Sequence, residues 1–271
     1  MLLKPDSQSP NRTVLYTQHP QGSVGAVAGF RSYYPQGGLT PGALAELDAA
    51  ESRHLTKALR ARVGDAVTLF DGRGSAWAGA LESLGRETTV RVETELALSP
   101  RPVELTLAVA LLKGKALDAV IKCAVEIGAA GIVPLFTAHS EVRLDDKRAE
   151  SKTEHWRTTA IEAAKQSGNL AGFTVHAPQA LDAWLSGLEG DGLRLVASLQ
   201  PESRPLLEWI DQPVSAVMML IGPEGDFSPG EYERIAAKGF AAATLGPFVL
   251  RAETACTYAL SALQALSLKK I

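Results

Sequence analysis

Ile221-Gly222-Pro223-Glu224-Gly225-Asp226-Phe227-Ser228-Pro229-Gly230-Glu231 follows directly on the apolar run Ala216-Val217-Met218-Met219-Leu220. The pattern then recurs. A second apolar stretch over 241–245 runs into Gly246-Pro247-Phe248-Val249-Leu250-Arg251-Ala252-Glu253-Thr254-Ala255, which opens a final helix of Ala, Leu and Ser. Each stretch reads as a strand that leaves its sheet through a Gly-Pro turn, exposing backbone amides and carbonyls. At the carboxyl ends of parallel strands this is where α/β sheets bind ligands. One Gly-Pro pair after a strand is simply a turn. Two, each holding a charged residue inside an apolar run, point to a shared site.

Upstream of these loops the chain alternates strand and helix. An apolar strand spans 103–112, and Lys113-Gly114-Lys115 leads into a helix whose stripe is Leu117, Val120, Ile121, Ala124 and Val125, with Lys122 and Glu126 opposite. Gly128 ends that helix and 131–136 forms the next strand. A long polar helix covers 146–167, and a buried strand over 193–199 leaves at Leu199-Gln200-Pro201, a third loop on the same edge. This is an α/β pattern with a parallel sheet. Gly114-Lys115-Ala116 is not a phosphate loop, because Val109 stands where that motif needs glycine and residue 116 is neither Ser nor Thr.

The region 31–100 differs in kind. Turns at Gly37-Gly38, Thr40-Pro41-Gly42, Val63-Gly64-Asp65 and Asp71-Gly72-Arg73-Gly74 separate short strands, which predicts a small β-barrel. One helix over 49–62 interrupts it, with Arg53, Lys57 and Arg60 at i, i+4 and i+7 forming a basic face. Ser99-Pro100-Arg101-Pro102 reads as a linker. Residues 1–29 lack sustained periodicity and are expected to be a flexible extension. The expected organisation is therefore an extension over 1–29, a barrel domain over 30–100 and an α/β domain over 101–271.

Composition narrows the function. With 271 residues, 46% of them apolar, the chain is long enough for two domains. A net charge of -3 gives no global attraction for nucleic acid, so contact with RNA has to come from a local basic patch. Cys123 and Cys256 have no partner at metal-ligand spacing and read as small buried thiols of a reducing cytoplasm. No eighteen-residue apolar run is present, so a cytoplasmic protein with no membrane partner is expected. His19, His54, His139, His155 and His176 show no spacing for a triad or a metal site.

The segments 221–231 and 245–255 closely resemble the signature loops of the RsmE family, methyltransferases of the knotted SPOUT class that act on uridine N3 of small-subunit ribosomal RNA. His54-Leu55 followed by Leu59-Arg60 is similar to the His-His-Leu-x-x-Val-Leu-Arg run of that family's PUA-like RNA-binding domain, and Phe30-Arg31-Ser32-Tyr33-Tyr34 matches the usual start of such chains. The resemblance implies a carboxyl-terminal parallel sheet tied into a trefoil knot, beside a PUA-like barrel. It also implies a homodimer, with 16S ribosomal RNA or the assembling 30S subunit as substrate and S-adenosylmethionine as cofactor. The cofactor pocket it implies is built from Leu199, Ile221, Gly222, Glu224, Gly225, Leu245, Gly246, Leu250 and Thr254.

N3 of uridine is a poor nucleophile until its proton leaves, so a fixed cation beside the developing anion and a proton acceptor are required. Arg251 is the candidate cation, and Glu224 and Glu253 are the candidate bases, with solvent as a third acceptor. Glu253 in the first helical turn also serves the helix dipole. Arg31, Arg53, His54, Lys57, Arg60 and Gln166 are the expected RNA contacts. The chain departs from the family at Lys165, where an acid is common, and at Asn169, where arginine is frequent. Two alternatives stand beside this reading. One is a SPOUT ribose 2'-O-methyltransferase, which usually carries Ser-Leu-Asn-x-Ser where Glu253-Thr254-Ala255-Cys256 stands; the other is a knotted RNA-binding protein without catalysis.

Overall fold

The computed structural model describes residues 29–209 and 214–268. The extension expected over 1–29 lies, apart from Gly29, outside the described residues. The described residues divide into two compact units, one formed by those up to Leu69 with Ala76–Ser99, the other by Phe70–Ser75 with those from Pro100 onward.

In the first unit β1 (Phe30–Tyr33), β2 (Leu44–Glu46), β3 (Ala66–Phe70), β4 (Ala76–Ser83) and β5 (Thr89–Glu95) form a five-stranded sheet in the order β1-β3-β4-β5-β2. Leu47, Leu55, Leu69, Trp77, Leu81, Val90 and Val92 fill its core. A short helix α1 (Ala49–Arg53) starts where the Asp48 carboxylate accepts the Ala50 and Glu51 N–H groups, each at 2.8 Å. The helix expected to continue to residue 62 changes pitch instead. Residues His54–Ala58 form a π turn, with the Leu59 N–H reaching back to the His54 carbonyl at 3.1 Å, and Arg60 then takes a left-handed backbone at φ 53°. Arg53 and Lys57 therefore sit on either side of a change in helical pitch, and Arg60 lies beyond the helix. All three are exposed, but they do not share one helical face.

The second unit carries β6 (Glu104–Ala110), α2 (Ala116–Ile127), β7 (Gly131–Phe136), α3 (Asp146–Ser167), β8 (Thr174–Val175), β9 (Gln179–Ala180), α4 (Leu181–Ser186), β10 (Leu193–Ala197), β11 (Arg204–Pro205), β12 (Ala216–Ile221), α5 (Pro229–Ala237), β13 (Ala241–Thr244) and α6 (Ala252–Leu268). Its sheet runs β11-β13-β10-β12-β6-β7-β8, with β9 also on β7, and every pair is parallel. Helices cover a parallel sheet on both faces, so its central strands are apolar throughout. Leu107, Ala108, Val109 and Ala110 of β6 and Ile132 and Leu135 of β7 are fully buried. The stripe Leu117, Val120, Ile121, Ala124 and Val125 is the buried side of α2, and Gly128 caps that helix at φ 100°. Gly131 is required by packing, since a Cβ there would lie 2.8 Å from the Thr174 carbonyl oxygen. The last strand, β13, is inserted between β10 and β11, and α6 packs on α2, β6 and β12.

Two strands are shorter than expected. The strand read over 193–199 ends at Ala197, which leaves Leu199 outside the sheet and 58% exposed. That read over 103–112 is Glu104–Ala110.

Candidate functional site

Parallel strands deliver their carboxyl ends to one edge, and the register fixes which exits adjoin. Val196 of β10 pairs with Leu220 of β12 on one side, and Ala197 pairs with Ala243 of β13 on the other. The Gly-Pro bend after β12 and the Gly-Pro bend after β13 therefore flank the exit of β10. At ordinary strand spacing the two bends are about 10 Å apart with the 198–201 segment between them.

The β12 exit is a tight turn held from both sides. The Asp226 N–H closes onto the Pro223 carbonyl at 3.0 Å, and Asp226 itself has a left-handed backbone at φ 59°. Gly222 and Gly225 are confined by neighbours rather than by φ. A Cβ on Gly222 would meet the Phe227 ring at 3.0 Å, and one on Gly225 would meet the His139 Cβ at 3.1 Å. His139 Nδ1 lies 2.9 Å from the carbonyl oxygens of both Gly225 and Asp226. Carbonyls only accept, so this nitrogen carries the hydrogen and donates to both. Glu231, only 4% exposed, completes the bracket. Its Oε2 accepts from the Ser228 N–H at 2.8 Å and hydroxyl at 3.0 Å, Ser228 Oγ accepts the Glu231 N–H, and Oε1 accepts the Ala138 N–H at 2.8 Å. One carboxylate thus caps α5 and anchors the loop that follows β7.

Asp226 offsets its strained backbone with local bonds. Its Oδ1 accepts from the Phe227 N–H at 2.8 Å and from the Tyr232 hydroxyl at 2.7 Å, and the Tyr232 ring stands edge-on to Phe227 at 5.5 Å. Burial, together with the hydrogen bond and charge of Asp226, pushes the Tyr232 phenol up to about 12, so it remains a donor throughout the physiological range.

The other residues singled out in the sequence fall as follows. Ile221 is buried at the end of β12 beside Val109, leaving only its backbone near the edge. Glu224 is exposed, and its carboxylate has no hydrogen bond to any described residue. Leu245 and Leu250 are half-buried. Gly246 adopts φ 135° while the Thr244 hydroxyl donates to its carbonyl at 3.1 Å. Arg251 is exposed and forms no side-chain hydrogen bond or ion pair with a described residue, Glu253 included. Glu253 is half-buried in the first turn of α6, and Thr254 is exposed. Burial, aided by the Glu253 charge, pushes the Cys256 thiol well above its ordinary range, so it is an unreactive core group.

Gln166 is exposed in the last turn of α3, where Lys165 is buried and paired with Glu162 at 2.7 Å and Asn169 donates to the Val125 carbonyl at 2.7 Å. In the first unit Arg31 and His54 are half-buried, and burial lowers the Arg31 guanidinium from its usual value.

No sequence motif outside the capping box marks His139, Asp226, Glu231 or Tyr232 as site residues. Ser228-x-x-Glu231 before an apolar helix is a capping-box signature and signals Glu231. His139 reads in the sequence as an unpaired histidine, and no local pattern shows its bond to a loop that is remote in sequence.

Known families match both units. Residues 99–264 match the model of an RNA methyltransferase domain, and residues 47–92 match that of an RNA methyltransferase PUA domain. The ribosomal RNA small subunit methyltransferase E of Synechocystis is 31% identical over 223 residues, covering 81% of this chain and 72% of that protein. The chain belongs to the ribosomal RNA small subunit methyltransferase E family. The Bacillus subtilis methyltransferase E is 29% identical, covering 79% of this chain and 86% of its own length. A Neisseria gonorrhoeae methyltransferase E solved with S-adenosyl methionine bound superposes with a TM-score of 0.79 at 29% identity, covering 88% of this chain and 98% of that one. The methyltransferase E assignment takes in both units, and the 99–264 match contains all three exits on the sheet edge. Among the described residues no helix is long and apolar enough to cross a membrane.

Proposed function

We propose that this chain methylates N3 of a uridine in small-subunit ribosomal RNA, using S-adenosylmethionine held at the β13, β10 and β12 exits. The observation that carries this reading is the register that sets those three exits side by side in a chain of the methyltransferase E family. The residues there suit the cofactor. Leu199, Leu245 and Leu250 offer apolar surface for an adenine, and the bends at Gly222, Gly225 and Gly246 offer backbone N–H and C=O groups for its edge and for the ribose. Glu224 and Thr254, both exposed, are the polar side chains of that pocket, and Ile221 contributes its backbone.

When bound, S-adenosylmethionine supplies a methyl group already activated on a sulfonium. The protein's task is alignment and charge. N3 must lose its proton for its lone pair to attack, and the negative charge then spreads to O2 and O4. Arg251, unpaired among the described residues, is the cation assigned to that charge. The proton goes to Glu224, Glu253 or water. Of the two carboxylates Glu224 is the more available, since Glu253 sits in the first turn of α6 where an acid stabilises the helix end.

N3 lies on the pairing edge, so the base must be turned out or unpaired before reaction. The exposed cations Arg53, Lys57 and Arg60, with Arg31 and His54 on the same unit and Gln166 on the second, are assigned to the flanking RNA. The reading extends to a homodimer, to a knot formed by the last strand and helix, and to a division into an RNA-gripping domain over 30–100 and a methyl-transferring domain over 101–271. Glu253-Thr254-Ala255-Cys256 favours base over ribose methylation, as this stretch lacks the Ser-Leu-Asn-x-Ser run of the ribose enzymes. Titration calorimetry with S-adenosylmethionine tests the cofactor site: saturable micromolar binding is expected, whereas a protein that binds RNA and gives no heat with the cofactor is a non-catalytic RNA binder.

A further inference from the structure

The loop that follows β7 reaches past its neighbouring strand to hold the β12 exit. β6 lies between β7 and β12 in the sheet, so at ordinary strand spacing the exits of β7 and β12 are about 10 Å apart. Residues 137–140 bridge that distance as a turn locked on itself. Ser140 Oγ accepts the Thr137 N–H at 3.1 Å and lies 2.7 Å from the Thr137 hydroxyl, the Ser140 N–H reaches the Thr137 carbonyl at 3.2 Å, and both residues are buried. The exposed ion pair of Lys113 with Glu141 ties the same segment to the chain leaving β6. From this turn the Ala138 N–H meets the Glu231 carboxylate, and His139 Nδ1 donates to the Gly225 and Asp226 carbonyls at 2.9 Å each. Gly225 leaves room for that approach, since a Cβ there would lie 3.1 Å from the His139 Cβ. β10 and β13 stand on the other side of β12, so the bend is gripped from the side away from them.

We propose that His139 is a positioning residue for the methyl donor: by drawing the Gly225 and Asp226 carbonyls toward the β7 side, it holds the β12 bend in the shape that presents residues 221–224 to the cofactor. This inference rests on the assignment of S-adenosylmethionine to the β13, β10 and β12 exits. The bend needs holding because Asp226 has a left-handed backbone at φ 59°, which a non-glycine residue keeps only when its surroundings impose it. His139 is exposed and contributes no core packing, so its two bonds act on the bend and not on the stability of the unit. A bend free to relax spends a smaller fraction of its time in the binding shape, and the apparent affinity for the ligand falls by that fraction. RNA recognition, which is assigned chiefly to the first unit, is left unchanged.

The test is His139→Ala in the full chain, beside His139→Asn, whose amide nitrogen carries two hydrogens close to the position of Nδ1. Calorimetry with S-adenosylmethionine, steady-state methylation of ribosomal RNA, urea unfolding and hydrogen exchange over residues 222–227 are measured together. In the alanine variant the dissociation constant and KM for S-adenosylmethionine are expected to rise about fivefold, the worth of one shared hydrogen bond. KM for RNA, kcat at saturating cofactor and the unfolding midpoint should stay close to the parent's. Amides of 222–227 should exchange faster than the parent's without cofactor and return to parental protection when it is saturating. Asparagine should recover most of the affinity. Unchanged cofactor binding in His139→Ala, or a loss matched by an equal rise in KM for RNA and a lowered unfolding midpoint, overturns the inference while the cofactor assignment stands. A fall in kcat with cofactor affinity unchanged also overturns it, because His139 would then act at the reacting centre. A parent protein that shows no heat with S-adenosylmethionine overturns both the inference and the assignment.

Discussion

Replacing Glu231 by alanine is expected to cost the second unit about 2 kcal/mol, a sum of two named losses. The first is the Glu231 half of the α5 capping box, in which its carboxylate accepts the Ser228 N–H at 2.8 Å; losing such a cap bond costs about 1 kcal/mol. The second is the donor left behind on the neighbouring loop. The Ala138 N–H lies 2.8 Å from this carboxylate, and an unsatisfied buried donor costs about 1–3 kcal/mol. That bond is only partly buried and water will reach it, so about 1 kcal/mol is the appropriate value. In a unit of this size a 2 kcal/mol loss lowers the melting temperature by about 4–8 °C. The assay is urea unfolding followed by far-ultraviolet circular dichroism, with an unchanged denaturant slope showing that the unfolded state is not what moved. Glu231→Gln keeps one oxygen acceptor and is expected to recover about half the loss. An alanine variant within about 0.5 kcal/mol of the parent, the range of an ordinary surface substitution, would refute the reasoning. It would also mean that the β12 exit is held by something other than this carboxylate.

Three further outcomes are expected. Arg251→Ala should lower single-turnover methylation by about 100-fold or more while S-adenosylmethionine binds as before; equal losses in both would make Arg251 a structural residue. Replacing Arg53, Lys57 and Arg60 together with glutamine should weaken RNA binding and reduce the slope of log affinity against log salt by about 2, the counterion release of three phosphate contacts to unpaired RNA, and an unchanged slope would remove these residues from the interface. The Tyr232 phenol, pushed up to about 12 in the folded chain from an ordinary value of about 10, favours the folded state fully below about pH 10 and loses that contribution as pH rises through about 12. Stability against urea should therefore fall over that interval more steeply in the parent than in Tyr232→Phe, and equal slopes would contradict the placement of the phenol.

The elements legible in the sequence were those whose periodicity and punctuation agree. Gly131–Phe136 is an apolar run opened by glycine, and Asp146–Ser167 is a polar helix with a capping Asp145 at one end and Gly168, at φ 80°, at the other. Both were bounded correctly from the sequence. The helix over 49–62 was overrun because nothing in its composition distinguishes a helical turn from a π turn. The widening shows only in the hydrogen bond from Leu59 to His54, and its end in the left-handed backbone of Arg60. Two-residue strands such as Thr174–Val175 and Arg204–Pro205 are too short to carry alternation and exist only through their partners β7 and β13. The site divides in the same way. Its two Gly-Pro bends are local patterns and could be read, but their adjacency to the 198–201 exit depends on a strand order that no local pattern encodes. The bracket around the β12 exit is invisible in the sequence because His139, Asp226 and Tyr232 come from two separate loops and a helix, and ordinary surface composition explains each one alone. Arg251 is the converse case: the sequence marks it as the one charge in an apolar loop, and the structure leaves it exposed and unpaired among the described residues.

Nucleoside mass spectrometry of small-subunit ribosomal RNA, after incubation of unmodified RNA or 30S particles with the purified protein and methyl-deuterated S-adenosylmethionine, tests the central claim most directly. The account predicts one deuterated methyl group on a single uridine, recovered as 3-methyluridine. A deuterated 2'-O-methyl nucleoside, or no deuterium transferred to either RNA or particles, would contradict it.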